Sequence, residues 1–255
     1  MRNALLLILA LAAGCGIDPI EGNDLVLVRC GRKANAAIVL PRSPEASRQY
    51  AAEELRHYVR EITGVTMQIV TNAVPPIGIY LDRAEDAADE EGFRLRSEGC
   101  NLHVAGGVRG ILYGVYEVLE TYGGCGWFAS WHEVVPKIGR LAVPADLDVV
   151  QKPAFAMRQP FWYDVNTHRE FAARNKVNGF NHVASGGVDA KFGGDSYRFG
   201  GGLGCCHTFD RLVPLEKYGK THPEYYAFRN GARRVNPPPG GRQWYLQLCL
   251  TNPDV

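Results

Sequence analysis

The sequence has almost no net charge: 28 Lys and Arg stand against 27 Asp and Glu, a formal +1. That balance supplies neither the basic field a nucleic-acid binder needs nor an electrostatic hold on an anionic membrane. No internal repeat and no low-complexity tract interrupts the chain, which removes solenoid and linker architectures. Gly200-Gly-Gly-Leu-Gly204 completes no dinucleotide fingerprint and lacks the lysine of a nucleotide-binding loop, so no cofactor is expected. Cys205-Cys206-His207 fits no common zinc spacing, and adjacent cysteines rarely share one tetrahedral ion, so no metal is expected either. The early apolar run Leu5–Leu11 is too short to span a bilayer.

What is present begins with that run. Arg2 supplies a positive end, and Ala12-Ala13-Gly14 are small residues before Cys15. This is the pattern of a secretory signal, over residues 1–15. It also resembles a bacterial lipoprotein signal, in which Cys15 would be lipidated and become the mature N-terminus. Ala12 stands where such signals usually carry Leu, so ordinary cleavage near Ala12 or Gly14 stays open. Either route takes the protein out of the cytoplasm, to the cell envelope or beyond it. A lipid anchor would be its only hold on a membrane. Seven cysteines in an oxidising compartment permit disulfides, whose pairing sequence leaves open.

With 255 residues, 46% of them apolar, the chain can build one large domain or two ordinary ones. Ile17–Leu25 reads as a tether. Ala36–Leu40 reads as a strand. Ser43-Pro44-Glu45 opens a helix, with Ser43 as N-cap and proline in the first turn. Ala51, Leu55, Tyr58 and Ile62 recur at helical spacing, and Gly64 closes the helix. Met67–Val70, Ile77–Leu81, Phe93–Arg96 and Leu102–Ala105 are strands. A second helix carries Ile111, Val115, Val118 and Tyr122 on one face. Residues 25–150 are therefore expected to form an α+β domain, a small sheet with two helices on one face.

Composition shifts near Pro144, and Leu141–Val149 reads as an edge strand and linker. Phe155–Phe161 is extended, Thr167–Asn178 helical and Phe180–Val183 extended again. A long glycine-rich and aromatic connection, Gly200–Phe228, follows; connections of that length inside a compact domain tend to be functional. Asn230-Gly231 is a turn, and Trp244–Leu250 reads as a buried strand. Thr251-Asn252-Pro253-Asp254 then reads as a helix start with Asn252 as N-cap, so the chain is expected to be the N-terminal piece of a longer one.

Several segments resemble a family of secreted bacterial proteins that are glycoside-hydrolase-like and carry a domain of unknown function. They are Ala51–Gly64, Val108–Phe128, Ala173–Val183, Gly204–Gly231 and Gln247–Val255, of which Gly204–Gly231 is the most specific. The first two also resemble the N-terminal domain shared by α-glucuronidases and β-hexosaminidases. The third resembles the start of the α-glucuronidase barrel. The resemblance implies that residues 151–255 open a (β/α)₈ barrel. Such a barrel needs roughly 250 residues, and about a hundred follow Phe155, so at most three of its strands are expected. It also implies that the catalytic carboxylates lie on later strands, leaving this stretch inactive alone.

The resemblance implies action on a polysaccharide or glycan, by carboxylate acid–base cleavage of O-glycosyl bonds. The alternative is a non-catalytic carbohydrate-binding surface lipoprotein on the same scaffold; a purely structural envelope protein would leave the His207 loop unexplained. Twelve Tyr and four Trp suit either packing or stacking on a pyranose. Candidate substrate contacts are Arg158, whose paired donors suit a hydroxyl or uronate, and Trp162 as a sugar floor. His207 can donate to a hydroxyl or take a proton. Asn252 can point at substrate while capping. Asp164, Asp189, Asp195, Asp210 and Glu216 read as loop and surface carboxylates, and Trp131, His132 and His182 as packing.

Overall fold

A computed structural model describes residues 19–31, 36–84, 90–160, 162–178, 189–194, 208–235 and 246–255. The chain divides into two compact units, Met1–Tyr197 and Arg198–Val255. The boundary expected near residue 150 thus falls inside the first unit. Among the described residues no helix is long and apolar enough to cross a membrane.

The first unit is built on strands β1 (Ile20–Glu21), β2 (Asp24–Arg29) and β3 (Ala36–Leu40), helix α1 (Ala46–Thr63), and strands β4 (Gln68–Thr71), β5 (Ile77–Arg83), β6 (Phe93–Glu98) and β7 (Asn101–Gly106). Helix α2 (Gly110–Thr121) and strands β8 (Gly126–Ala129), β9 (His132–Val134), β10 (Arg140–Pro144) and β11 (Asp148–Gln151) follow. A six-stranded sheet runs β11-β6-β7-β5-β3-β4, in which β4, β3, β5 and β7 are parallel, β6 pairs antiparallel with β7, and β11 pairs antiparallel with β6.

Register sorts its side chains. Ile38, Ile79 and Leu102 share one row and are fully buried. Val39, Tyr80, His103 and Arg96 share the row of opposite parity. Helices α1 and α2 supply Leu55, Tyr58, Ile62, Ile111, Val115 and Leu119 to the same core. Each such aliphatic side chain contributes about 1.5–3 kcal/mol by leaving water. Leu55→Ala would cost about 2–5 kcal/mol. Gly64 ends α1 in the left-handed region (φ 75°), which only glycine adopts without strain.

Two local expectations give way to tertiary structure. The N-cap of α1 is Glu45, not Ser43. Buried Arg48 fixes that start: it bonds the Glu45 carboxylate at 2.9 Å and the carbonyls of Leu81 and Gly106 at 3.2 Å each, at the ends of β5 and β7. The expected tether, Ile17–Leu25, holds β1 and runs into β2, whose Leu25 to Val28 are buried; β2 pairs with β10, more than a hundred residues away in sequence.

Beyond β11 come two short helices, α3 (Tyr163–Thr167) and α4 (Arg169–Arg174). Val165, Phe171, Ala172 and Ala173 are buried in the main core, which is why this segment belongs to the first unit. Phe155–Pro160, expected as a barrel strand, is irregular. No parallel strand pair occurs among the described residues after Gln151. The second expected segment, Phe180–Val183, lies outside the described residues.

The second unit holds helices α5 (Phe209–Leu212) and α6 (Leu215–Tyr218), and a hairpin of β12 (Phe228–Arg229) and β13 (Ala232–Arg233). Its turn is Asn230-Gly231, both at positive φ (53° and 78°), the two-residue geometry whose twist matches the strands. A small core of Leu215, Tyr226 and Leu246 holds the unit together. The strand expected over Trp244–Leu250 reduces, among the described residues, to one antiparallel bridge between Leu248 and Tyr226.

Candidate functional site

The β8–β9 hairpin shapes the most distinctive surface of the first unit. Alternation along β8 turns Trp127 inward and Phe128 outward. Trp127 packs edge-on against Tyr58 (5.2 Å between ring centroids) and Tyr116 (5.4 Å). Ser130 and Trp131 form the tip. Asp164, in the first turn of α3, accepts a bond from the Ser130 amide at 2.9 Å and meets His168 Nδ1 at 2.8 Å. Burial pushes the Asp164 carboxyl up, but the Ser130 bonds and adjacent His168 outweigh it and hold the group below the usual range. Asp164 is therefore a buried anchor and not the surface carboxylate that the sequence suggests.

Within two residues of that Ser130–Asp164 bond stand four exposed aromatics: Phe128 (62%), Trp131 (78%), Trp162 (47%) and Tyr163 (79%). Beside them lies an open cleft of about 390 Å³ lined by Trp131, His132, Glu133, His168, Glu170 and Arg174, among others. Its Glu133 and Arg174 belong to a polar network that extends behind the lining. Trp127 Nε1 donates to the Tyr58 hydroxyl at 2.9 Å, and Tyr58 donates to Glu133 Oε2 at 2.7 Å. Arg174 Nε donates to buried Glu54 at 3.0 Å, and Arg174 comes within 3.8 Å of Glu133. The guanidinium lies over the Tyr58 ring at 5.3 Å. Burial, then the bond to Glu133, pushes the Tyr58 hydroxyl well up. Burial opposes the Arg174 cation, but Glu54 beside it prevails and raises its pKa.

Flat aromatic faces next to carboxylate, imidazole and hydroxyl groups can stack on the apolar face of a pyranose and bond its hydroxyls. No group of three or more metal-ligating side chains occurs among the described residues.

The sequence candidates fall in different places. Trp162 joins the aromatic group and meets Phe171 edge-on at 6.0 Å. Arg158 is held elsewhere: it bonds Glu91 at 2.9 Å, the Lys176 and Phe155 carbonyls at 2.7 Å each, and the Tyr113 hydroxyl at 3.2 Å. Asn252 lies in the second unit, where its Oδ1 accepts from the Asp254 amide at 3.1 Å, the bond an N-cap makes, within a turn. His207 and Cys15 lie outside the described residues, as does His182. Trp131 and His132 were expected to pack; both are exposed. The signal for them was an aromatic in a polar run, Ser130-Trp131-His132-Glu133, where a core residue has nothing to pack on.

Residues 127–255 match the family described as domain of unknown function DUF4838. The chain belongs to this family. The match takes in every residue lining the cleft, while the supporting Glu54 and Tyr58 precede it. No curated protein matches. Distant similarity links the chain to solved structures of glycoside hydrolases. One is the GH115 4-O-methyl-α-glucuronidase BtGH115A, described as specific for decorated arabinogalactans: 14% identity, 60% of this chain, 25% of that one, TM-score 0.45. Another is the GH20 β-N-acetylhexosaminidase of Streptomyces coelicolor A3(2): 16% identity, 62% and 33% coverage, TM-score 0.42. The chain thus spans a third or less of these relatives' length.

Proposed function

We propose that this protein acts on glycans and that the cleft beside the β8–β9 hairpin holds the sugar. The observation that carries the reading is the set of four exposed aromatics around the Ser130–Asp164 bond, beside a cleft whose Glu133 and Arg174 are hydrogen-bonded into place. An exposed tryptophan costs the protein solvation of a large apolar face and is explained when a ligand covers it. Trp131 stacks on a pyranose. Glu133, steadied by Tyr58, accepts from a hydroxyl, and His132 is exposed beside it to donate or accept.

The reading extends to a hydrolase of O-glycosyl bonds exported to the bacterial envelope, and makes residues 151–255 the opening of a (β/α)₈ barrel. Its support is the resemblance of the five segments and the leader-like residues 1–15. Hydrolysis of this kind sets two carboxylates across the bond; the cleft residues contribute binding.

The test is an array of immobilised oligosaccharides probed with the full chain. Binding to at least one saccharide class is expected, weakened about tenfold or more in Trp131→Ala, the scale of losing one stacked anchor. A folded chain that binds no saccharide, or a Trp131→Ala variant that binds as tightly as its parent, overturns the assignment.

A further inference from the structure

We infer that the cleft selects saccharides by charge, taking ammonium-bearing sugars over neutral ones and neutral ones over carboxylated ones; this rests on the glycan reading above. Among the described residues lining the cleft, Arg174 is the one permanent cation. Its charge is directed inward: Nε and Nη2 bond Glu54 at 3.0 and 3.4 Å, and Nη1 faces Glu133 at 3.8 Å. The Nε–Nη2 edge of the guanidinium is thereby taken by Glu54, and a ligand carboxylate approaching Nη1 meets the Glu133 carboxylate beside it.

The lining carboxylates are differently placed. The side chains of Glu133 and Glu170 are 43% and 47% exposed, so both anions reach solvent in the cleft. The Lys191 ammonium lies 3.6 Å from Glu170 but is drawn over the Phe192 ring (4.7 Å) and the Tyr50 ring (5.3 Å), and Lys191 does not line the cleft. His168 Nδ1 is held by Asp164, a further anion behind the wall. Four carboxylates, Glu54, Glu133, Glu170 and Asp164, therefore stand against two permanent cations, Arg174 and Lys191, of which Arg174 is bonded to Glu54 and Lys191 lies outside the cleft. An ammonium group entering this field is attracted. A uronate carboxylate meets like charge without a donor fork to receive it.

The test uses the same array, built from matched sets: gluco-, galacto- and manno-oligosaccharides, each as the neutral sugar, its 2-amino form and its C6-carboxylate. The expected order is amine, neutral, carboxylate, with about a tenfold step between the extremes at 50 mM salt that narrows at 500 mM as charges are screened. Glu170→Gln, an exposed change that leaves the core alone, narrows it too. Carboxylated sugars bound as tightly as their amine counterparts overturn the charge selection and leave the glycan reading standing. Equal binding of all three forms does the same. Binding of none overturns the glycan reading, and the selection with it.

Discussion

Two carboxylate–arginine networks in the first unit are made of the same parts and end differently. In one, Glu91 accepts from Arg109 Nε at 3.0 Å, Arg158 Nη1 at 2.9 Å and Asn178 Nδ2 at 2.7 Å. Asn178 is fully buried and also takes the Arg158 amide, so the residues leading into β6 and into α2, the segment before α3 and the turn after α4 are tied at one point. In the other, Arg174 bridges buried Glu54 and half-exposed Glu133, and Glu133 opens onto the cleft. The first network uses its acceptors internally. The second keeps acceptor capacity facing solvent, next to an exposed tryptophan. Buried ion pairs are weak evidence for function or for stability by themselves; leftover polar capacity beside apolar surface is what marks a binding site.

Breaking the closed network should have the largest effect. Glu91→Ala leaves two arginines and Asn178 without their shared acceptor, and an expected loss of about 3–5 kcal/mol is read from urea denaturation. A loss below about 1 kcal/mol would show that Glu91 is not a keystone. Arg174→Ala strands buried Glu54 but leaves a side that water can reach, so about 2–3 kcal/mol is expected, together with weakened glycan binding. If both variants lose only stability, the contrast between the networks fails.

Trp131→Ala should do the reverse. Stability should stay within about 0.5 kcal/mol, because the side chain is exposed, while glycan affinity falls about tenfold. The smallest effect is the pH dependence. Burial raises the Glu91 carboxyl, but its Arg158 and Asn178 bonds outweigh that and hold it below the ordinary 4.5. A depressed carboxylate contributes fully above its unfolded value and loses that contribution as pH falls through the folded one. Stability should therefore begin to fall below about pH 4.5, and less steeply in Glu91→Gln; identical acid profiles would remove Glu91 from the account.

Much of the first unit was legible in sequence. Ala36–Leu40 matches β3 at both ends, the Ile111/Val115/Val118 stripe is buried as its spacing demands, and Gly64 caps α1 in the left-handed region. Asn230-Gly231 turns the hairpin it signals. What escaped depends on distant partners. Leu25–Val28 is buried on both faces and so shows no alternation, and its pairing strand is β10. Arg158 invites a substrate reading because nothing local reveals Glu91, which reaches it from 67 residues earlier in the chain. The cleft was missed for a similar reason: hairpin, α4 and the start of α3 converge through the Ser130–Asp164 bond, the Arg174–Glu133 contact and the packing of Phe171, all of them between residues distant in sequence.

Tryptophan fluorescence of the full chain, titrated with the strongest saccharide from the array, tests the central claim most directly. Sugar stacked on Trp131 should shift its emission to shorter wavelength as water leaves the ring, with a saturating curve, and the shift should vanish in Trp131→Ala while that variant keeps its fold. Saccharide binding without any spectral change, or the same shift in Trp131→Ala, would place the sugar elsewhere and contradict the assignment of the cleft.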